Sequence, residues 1–167
     1  MNSREWNSLD PNMRDTIEKL QNEAPVRVSA IARALGLTVK ASTLPPGISG
    51  EIRPDPEQGA GHFVIRVSRH DADARQRFTV AHEIGHFLLH RDQIGTGIID
   101  DALYRSGLSD RREAEANRIA ADILMPERLI DAWIDRARAL GVEDTLGYLR
   151  ERFEVSDAAM KIRLGLT

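Results

Sequence analysis

The stretch that decides our interpretation of this chain is residues 75–90, with the sequence RQRFTVAHEIGHFLLH. Apolar or small residues recur through it at helical spacing and cover almost its whole circumference, which predicts a buried helix that begins near Asp73. Within it, His82, Glu83 and His86 form an HExxH pattern. Two imidazoles one helical turn apart can bind the same divalent metal ion, and the glutamate between them can act as a base. The stretch therefore predicts a metal site on a buried helix.

Composition limits what else the chain can be. Its 167 residues fit one domain. Cysteine is absent, so histidine and carboxylate must bind any metal, and we expect a reducing compartment. No apolar run follows a basic N-terminal start, and no segment reaches the ~18 apolar residues of a membrane span. The net charge of −3 gives no electrostatic reason to favour nucleic acid. We expect a cytoplasmic protein without a membrane segment.

The remaining pattern predicts an α+β, zincin-like metallopeptidase domain. Strands are expected at about 37–41, 48–53 and 62–67, the last two as a hairpin, and helices at about 11–22, 30–35, 73–90, 110–125, 126–134, 146–153 and 157–164. Residues 91–110 are glycine-rich and are expected to form a functional or mobile loop. We therefore expect a small antiparallel sheet packed on the HExxH helix. Within a single domain over 1–167, the catalytic core covers about 26–125 and a helical C-terminal subdomain about 126–167.

A catalytic zinc ion needs a third protein ligand besides the two histidines. The extended pattern HExxHxxGxxH is excluded, because Leu89 and Asp92 stand where it requires glycine and histidine. His90 lies one further turn along, but three histidines stacked over two turns span about 12 Å and cannot all reach one ion. We therefore interpret His90 as a residue at the edge of a pocket or at the helix end.

The best candidate for the third ligand is Glu113. On the predicted helix 110–125, Glu113, Ala116, Asn117 and Ala120 share one face. The two alanines allow close approach of another helix. Asn117 is one turn from Glu113 and is placed to accept a hydrogen bond from the second ring nitrogen of a metal-binding histidine. The pattern ExxxN thus complements HExxH.

Glu115 is the other carboxylate in this region. It shares its stripe of the helix with Arg118 and Asp122, a pattern typical of a solvent-facing surface. We therefore expect Glu115 to be a surface charge and not a ligand.

Three segments resemble the ImmA/IrrE family of zinc metallopeptidases: 75–90, 113–126 and 153–164. The resemblance extends from about Val26 to the C-terminus. It implies a gluzincin-like fold, one Zn²⁺ per chain and an endopeptidase that cleaves helix-turn-helix transcriptional repressors. In that family, cleavage induces phage, mobile-element or stress-response programmes. The expected partner is accordingly a protein substrate of the helix-turn-helix class.

The expected mechanism is zinc-assisted hydrolysis of a peptide bond, with His82, His86 and Glu113 as ligands. Glu83 takes the proton of the attacking water and passes it to the leaving amine. A further donor should stabilise the oxyanion, and Tyr104 in the long loop and His90 are both candidates. The sequence does not choose between them.

Two other functions compete with proteolysis. Residues 146–164 have the outline of a helix-turn-helix, but Met160, Ile162 and Leu164 are core-type residues, and we do not expect DNA binding as a main function. The chain could instead hold zinc and regulate a repressor or DNA by binding alone. Glu83 favours chemistry, because a purely structural zinc site needs no base. The sequence gives no indication of the oligomeric state.

Overall fold

The computed structural model describes residues 2–166, in which helices pack with a four-stranded sheet. The helices are α1 (Arg4–Asn7), α2 (Pro11–Glu18), α3 (Val28–Ala34), α4 (Asp73–Leu89), α5 (Asp110–Leu124), α6 (Glu127–Ala139), α7 (Thr145–Phe153) and α8 (Asp157–Arg163). The strands are β1 (Leu37–Ser42), β2 (Ile48–Pro54), β3 (Phe63–Ser68) and β4 (Ile98–Asp101). Short 3-10 turns lie at Pro56–Gln58 and Arg91–Gln93. Within this described part, no helix combines the length and apolar character needed to cross a bilayer.

The sheet has the strand order β1-β3-β2-β4. Its centre is the expected hairpin, in which β2 and β3 pair antiparallel, with Ile52 opposite Ile65. The α+β class is confirmed, but the sheet is mixed and not antiparallel throughout, because β1 pairs parallel with β3. The chain reverses direction once between β1 and β2 and again between β2 and β3. Strands β1 and β3 therefore run in the same direction and pair parallel.

Strand β4 lies in the segment that the sequence predicts to be a loop. It is an edge strand that pairs antiparallel with β2, with a register shift between Ile48 and Gly50. Ile98 is buried and Ile99 is 52% exposed, while Asp100 is fully buried. Half-buried strands are recognised in a sequence by apolar residues that face the core and alternate with polar residues that face solvent. Here the isoleucine is exposed and the aspartate is buried. The strand therefore lacks that pattern, and the prediction of a loop was wrong at these residues.

Helix α4 lies between the sheet and α5, and the prediction of a buried helix is confirmed. Its residues from Thr79 to Phe87 are all buried. Gly85 faces α5, where an added Cβ would lie 3.0 Å from the Ala116 carbonyl oxygen. The absence of a side chain at Gly85 therefore sets how closely the two helices approach.

The N-terminal region differs from its prediction, whereas the C-terminal helices lie close to theirs. The helix expected over about 11–22 is α2, which begins after the Asp10 cap as predicted but ends at Glu18, and the short helix α1 before it was not predicted. At the other end, Ser156 caps α8 as its sequence position suggests. Buried residues from both ends, such as Trp6 and Phe153, join one hydrophobic cluster with the α4 core. The division into a catalytic core and a C-terminal subdomain stays a prediction.

Candidate metal centre and active site

The two histidines of HExxH lie on successive turns of α4, are both fully buried, and have ring centroids 4.6 Å apart. Glu113 reaches them from α5. Its Oε2 lies 3.1 Å from His82 Nε2, and its Oε1 lies 3.1 Å from His86 Nε2. The structure thus brings the three ligands predicted from sequence together at the Nε2 side of both rings.

A second carboxylate that the sequence did not single out enters the same site from β4. Asp100 Oδ2 lies 3.5 Å from Nε2 of both His82 and His86. Asp100 was only one of two adjacent acids in a glycine-rich segment. No local pattern fixes the direction of its side chain, because that direction follows from the pairing of β4 with β2.

Ser106 also contacts the site and was missed. Ser106 lies four residues before the start of α5, and its hydroxyl donates a hydrogen bond to Glu113 Oε1 at 2.9 Å. The same hydroxyl accepts from the Leu108 backbone N–H, which fixes its position. Ser106 therefore orients the Glu113 carboxylate towards the histidines.

The buried charges of this site call for a cation. Glu83, Asp100 and Glu113 are all buried, and within residues 2–166 none of them forms an ion pair with lysine or arginine. Both oxygens of Glu83, both of Asp100 and the Nε2 of His86 lack hydrogen-bond partners in that range. Carboxylates buried without compensation are strongly destabilising, and a divalent cation removes that cost.

The spacing of the donor atoms fits such a cation. Ligand atoms in a tetrahedron at about 2.0 Å from an ion lie about 3.3 Å from one another. The distances from the histidine Nε2 atoms to the two carboxylates are 3.1 and 3.5 Å. A set of imidazole and carboxylate donors without thiolate suits zinc and several other divalent ions.

Protons occupy the site when no metal is bound. Burial lowers the pKa of His82, but the neighbouring carboxylates of Asp100 and Glu113 more than offset that effect and raise the pKa to about 9. The pKa of His86 is raised by the same two carboxylates against the same opposing effect of burial. Burial, followed by the charge of Asp100, raises the pKa of Glu83 well above its ordinary value. A cation bound at this position would have to displace those protons from the imidazoles.

Asn117 lies where its predicted role requires. His82 Nδ1 is 2.8 Å from Asn117 Oδ1. The amide oxygen can only accept, so Nδ1 carries the hydrogen and donates it, which leaves Nε2 free to bind a metal. Asn117 thus sets the tautomer of His82.

His90 contacts Nδ1 of His86, as Asn117 contacts Nδ1 of His82. It is the C-cap of α4 and fully buried, with its Nδ1 2.9 Å from His86 Nδ1 and its Nε2 3.2 Å from Glu115 Oε1. With His86 Nε2 facing the metal position, His86 donates to His90 and His90 donates to Glu115. His90 therefore contacts the nitrogen of His86 that points away from the metal position.

The sequence interpretation of the Glu115 face of α5 was wrong. Glu115 is not a free surface charge, because it is half-buried and bonded to His90 and Arg112. Asp122, placed on the same solvent-facing stripe, is 1% exposed and pairs with Arg163 at 3.0 Å. Helices α1 and α8 and the end of α4 cover this face, and helical periodicity alone does not reveal such tertiary contacts.

Tyr104 is the second candidate oxyanion donor and lies on the opposite side of the site from His90. Its hydroxyl is 3.1 Å from Thr79 Oγ1, and its ring lies 4.8 Å from the His82 ring. Its φ of 54° places it in the left-handed region. The Arg75 guanidinium lies 5.1 Å from the centre of its ring. Tyr104 is therefore held beside the metal-binding helix.

A cavity of about 440 Å³ opens beside Tyr104 and Asn117. It continues along the groove between α4 and α5 to α8, and its walls are mainly apolar. They include Phe78, Ala121, Met125, Ala159 and Ile162. The groove next to the metal position can therefore accept an apolar side chain.

Comparison with known proteins places the chain in a family. The model of the IrrE N-terminal-like domain, peptidase family M78, matches residues 32–165. The chain belongs to this family. The resemblance to ImmA/IrrE proteins inferred from 75–90, 113–126 and 153–164 is thereby confirmed.

Two relatives carry the name radiation response metalloprotease IrrE. The protein from Deinococcus radiodurans is 40% identical over 102 residues, which are 61% of this chain and 29% of that protein. The protein from Deinococcus deserti is 37% identical over 102 residues, which are 61% of this chain and 34% of that protein. The matched region is thus about a third of the length of these relatives.

A solved structure shares the fold. It is a Mycobacterium tuberculosis transcriptional regulator with a TM-score of 0.56 and 21% identity, and the match covers 95% of this chain and 48% of that one. At this identity the similarity concerns the fold alone.

Proposed function

We propose that the chain is a zinc-dependent endopeptidase that cleaves a helix-turn-helix transcriptional repressor. The observation that carries the proposal is the convergence of His82, His86 and Glu113 beside the unpartnered carboxyl of Glu83. Membership of peptidase family M78 supports the same reaction class. The proposed ligands are the two histidines and Glu113, with one zinc ion per chain.

The chain's own residues supply the remaining catalytic functions. Bound zinc provides a Lewis acid that polarises the scissile carbonyl and acidifies a water. Glu83 would take the proton of the attacking water and transfer it to the leaving amine. In the metal-free site, burial and the charge of Asp100 raise the pKa of Glu83, so this carboxyl holds a proton more readily than an exposed glutamate does. Tyr104, beside His82, is the proposed oxyanion donor.

The proposed substrate class rests on the family resemblance and on the apolar groove. The groove accepts an apolar side chain next to the scissile bond, and helix-turn-helix domains are rich in such residues. A repressor that acts on DNA is a substrate of the cytoplasm, and we propose the same location for this protein. A programme of stress response or mobile-element induction would follow from removal of the repressor.

The decisive experiment mixes zinc-loaded protein with the purified helix-turn-helix repressor encoded beside its gene. We expect one cut, found by mass spectrometry. The matched control is Glu83→Gln, which should retain zinc and cut at least ~100-fold more slowly. Undiminished cleavage by the control would refute the role of Glu83.

Glu113 and Glu115 give a second matched test, because they lie two residues apart on α5 and both are buried or half-buried. We expect Glu113→Gln to lose zinc and Glu115→Gln to retain it, as measured by metal analysis after dialysis. The reverse pattern would show that the other carboxylate is the ligand.

The alternative function is regulation by binding, in which the chain holds zinc and captures a repressor without cutting it. The proximity of Asp100 to both histidines favours this alternative, because a fourth protein ligand would fill the space that a water needs. A stable complex with uncut repressor in the mixing experiment would support it over proteolysis.

A further inference from the structure

Asp100 has no role in the proposed hydrolysis, yet it is fully buried against the metal position. Its Oδ2 lies 3.5 Å from both histidine Nε2 atoms, and neither of its oxygens has a hydrogen-bond partner within residues 2–166. A buried carboxylate without such partners is stable only beside a positive charge. Two positive charges are available at this position: the protonated imidazoles when no metal is bound, and the metal ion that the same Nε2 atoms face.

We infer that Asp100 is a fourth protein ligand of the metal and that β4 thereby closes the coordination position needed by water. This inference rests on the proposed function. Catalytic zinc sites keep three protein ligands and one open position, whereas a site with four protein ligands is closed. The chain in this conformation is therefore a latent peptidase. Two carboxylates and two neutral imidazoles also balance the charge of a divalent ion.

The strand that carries Asp100 is weakly held. It has four residues and lies at the sheet edge, where it pairs with β2 alone. Beyond its end, the Ala102 N–H donates to the Gly47 carbonyl, and Arg75 donates to the Ala102 carbonyl. Short edge strands open at lower free energy than core strands. Release of β4 from β2 would withdraw Asp100 from the metal position.

Release of β4 also exposes the site to substrate. The β2 edge that β4 leaves is a row of backbone hydrogen-bonding groups beside α4, which an extended peptide can pair with. The strand that closes the site and a substrate strand therefore compete for one edge. A substrate strand that displaces β4 from β2 would thus open the fourth coordination position of the metal.

The test compares Asp100→Asn with Asp101→Asn in Co²⁺-loaded and Zn²⁺-loaded protein. Asp101 lies on the same strand but accepts from the Leu103 and Arg105 backbone N–H groups, so its substitution perturbs the segment and not the metal position. The first readout is zinc affinity, by competition with a chromophoric chelator. The second is the visible spectrum of Co²⁺ during titration with acetohydroxamate, which binds an open position.

We expect Asp100→Asn to bind zinc at least ~10-fold more weakly and acetohydroxamate at least ~10-fold more tightly than wild type. Asp101→Asn should match wild type in both. If both substitutions changed zinc affinity and acetohydroxamate binding equally, the cause would be a shift of the whole segment. That result would overturn the role of Asp100 as a ligand.

Failure of this inference is distinguishable from failure of the proposed function. If Asp100→Asn matches wild type in both readouts while Glu113→Gln loses zinc, Asp100 is not a ligand and the three-ligand site stands. If Asp100→Asn does not fold, a crystal structure of the zinc-loaded wild type decides. An Asp100 oxygen about 2.0–2.2 Å from the ion supports the inference, and a water in that place overturns it.

Discussion

At the scale of single residues, the two histidines of α4 are oriented through their outer ring nitrogens by different partners. Asn117 accepts from His82, and His90 with Glu115 extends from His86. Such partners fix the tautomer and the ring direction, and their loss weakens metal binding without removing a ligand. Removal of each partner is therefore expected to weaken metal binding, by a factor that depends on how directly the partner contacts the histidine.

Asn117→Ala should weaken zinc binding by about 10–100-fold, because His82 then loses the acceptor for its Nδ1 hydrogen. Chelator competition measures the affinity, and circular dichroism checks that the helices are retained. The exposed Asn12→Ala serves as the control and should leave the affinity unchanged. An Asn117→Ala affinity equal to that of Asn12→Ala would contradict the assigned role.

His90→Ala should weaken zinc binding by about 10-fold, and Glu115→Ala by less. His90 contacts a metal-facing histidine directly, whereas Glu115 acts through one further hydrogen bond. The same competition measurement ranks the two variants. A larger loss for Glu115→Ala than for His90→Ala would contradict the order of this hydrogen-bond chain.

The sequence could predict those site residues whose positions follow from helical geometry. His82, Glu83 and His86 share a motif, and Glu113 and Asn117 share a helix face. Asp100 and Ser106 lie outside helices, and their directions depend on strand pairing and on the path of the chain before α5. Glu115 was misinterpreted for a related reason, since its partner His90 comes from another element.

At the scale of elements, the approach of α4 to α5 sets the distance between the histidines and Glu113. Gly85 and Ala116 form the closest contact, and an added Cβ at Gly85 would lie 3.0 Å from the Ala116 carbonyl oxygen and 3.1 Å from its Cα. Backbone atoms at these distances cannot move aside as a flexible side chain would. A methyl group here must push the helices apart.

Gly85→Ala should therefore lower the free energy of unfolding by about 1–3 kcal/mol and weaken zinc binding. Urea denaturation and zinc titration measure the two effects. Gly107→Ala is the matched control, because its added Cβ would meet no atom within 4 Å. If Gly85→Ala bound zinc as tightly as Gly107→Ala, helix spacing would not control the site.

Elements with a clear local period were predicted well from the sequence. The buried α4 and the β2–β3 hairpin follow from the 3.6 and 2 residue periods. The parallel pairing of β1 with β3 and the existence of β4 depend on contacts between segments that are not neighbours in sequence. Local patterns contain no information on those partners.

At the scale of the whole molecule, a charged pair joins α1 to α5. The Arg118 guanidinium donates from Nη2 to Glu5 Oε1 at 2.6 Å and from Nε to Glu5 Oε2 at 2.9 Å. This pairing lowers the pKa of Glu5 from 4.5 to about 2, against the opposing effect of burial. The pair stabilises the fold above pH 4.5, and this contribution is lost as the pH falls towards 2.

Glu5→Gln should lower the free energy of unfolding of the metal-free protein by about 1–2 kcal/mol at pH 7, since Arg118 is 42% exposed and water screens the pair. The difference from wild type should shrink as the pH is lowered from 4.5 towards 2. Urea denaturation at several pH values measures it. The exposed Glu23→Gln should show no comparable dependence, and a Glu5→Gln difference that is constant with pH would contradict the pairing.

The position of the proposed ligands has a consequence for a chain that contains no cysteine. His82 and Glu113 are 31 residues apart in sequence, and Asp100 lies between them on a separate strand. An ion held by all of them acts as a reversible cross-link that closes two loops at once, as a disulfide does in secreted proteins. Depletion of zinc would then loosen the region between α4 and α5 before the core unfolds, which couples the lifetime of the protein to the metal supply of the cell.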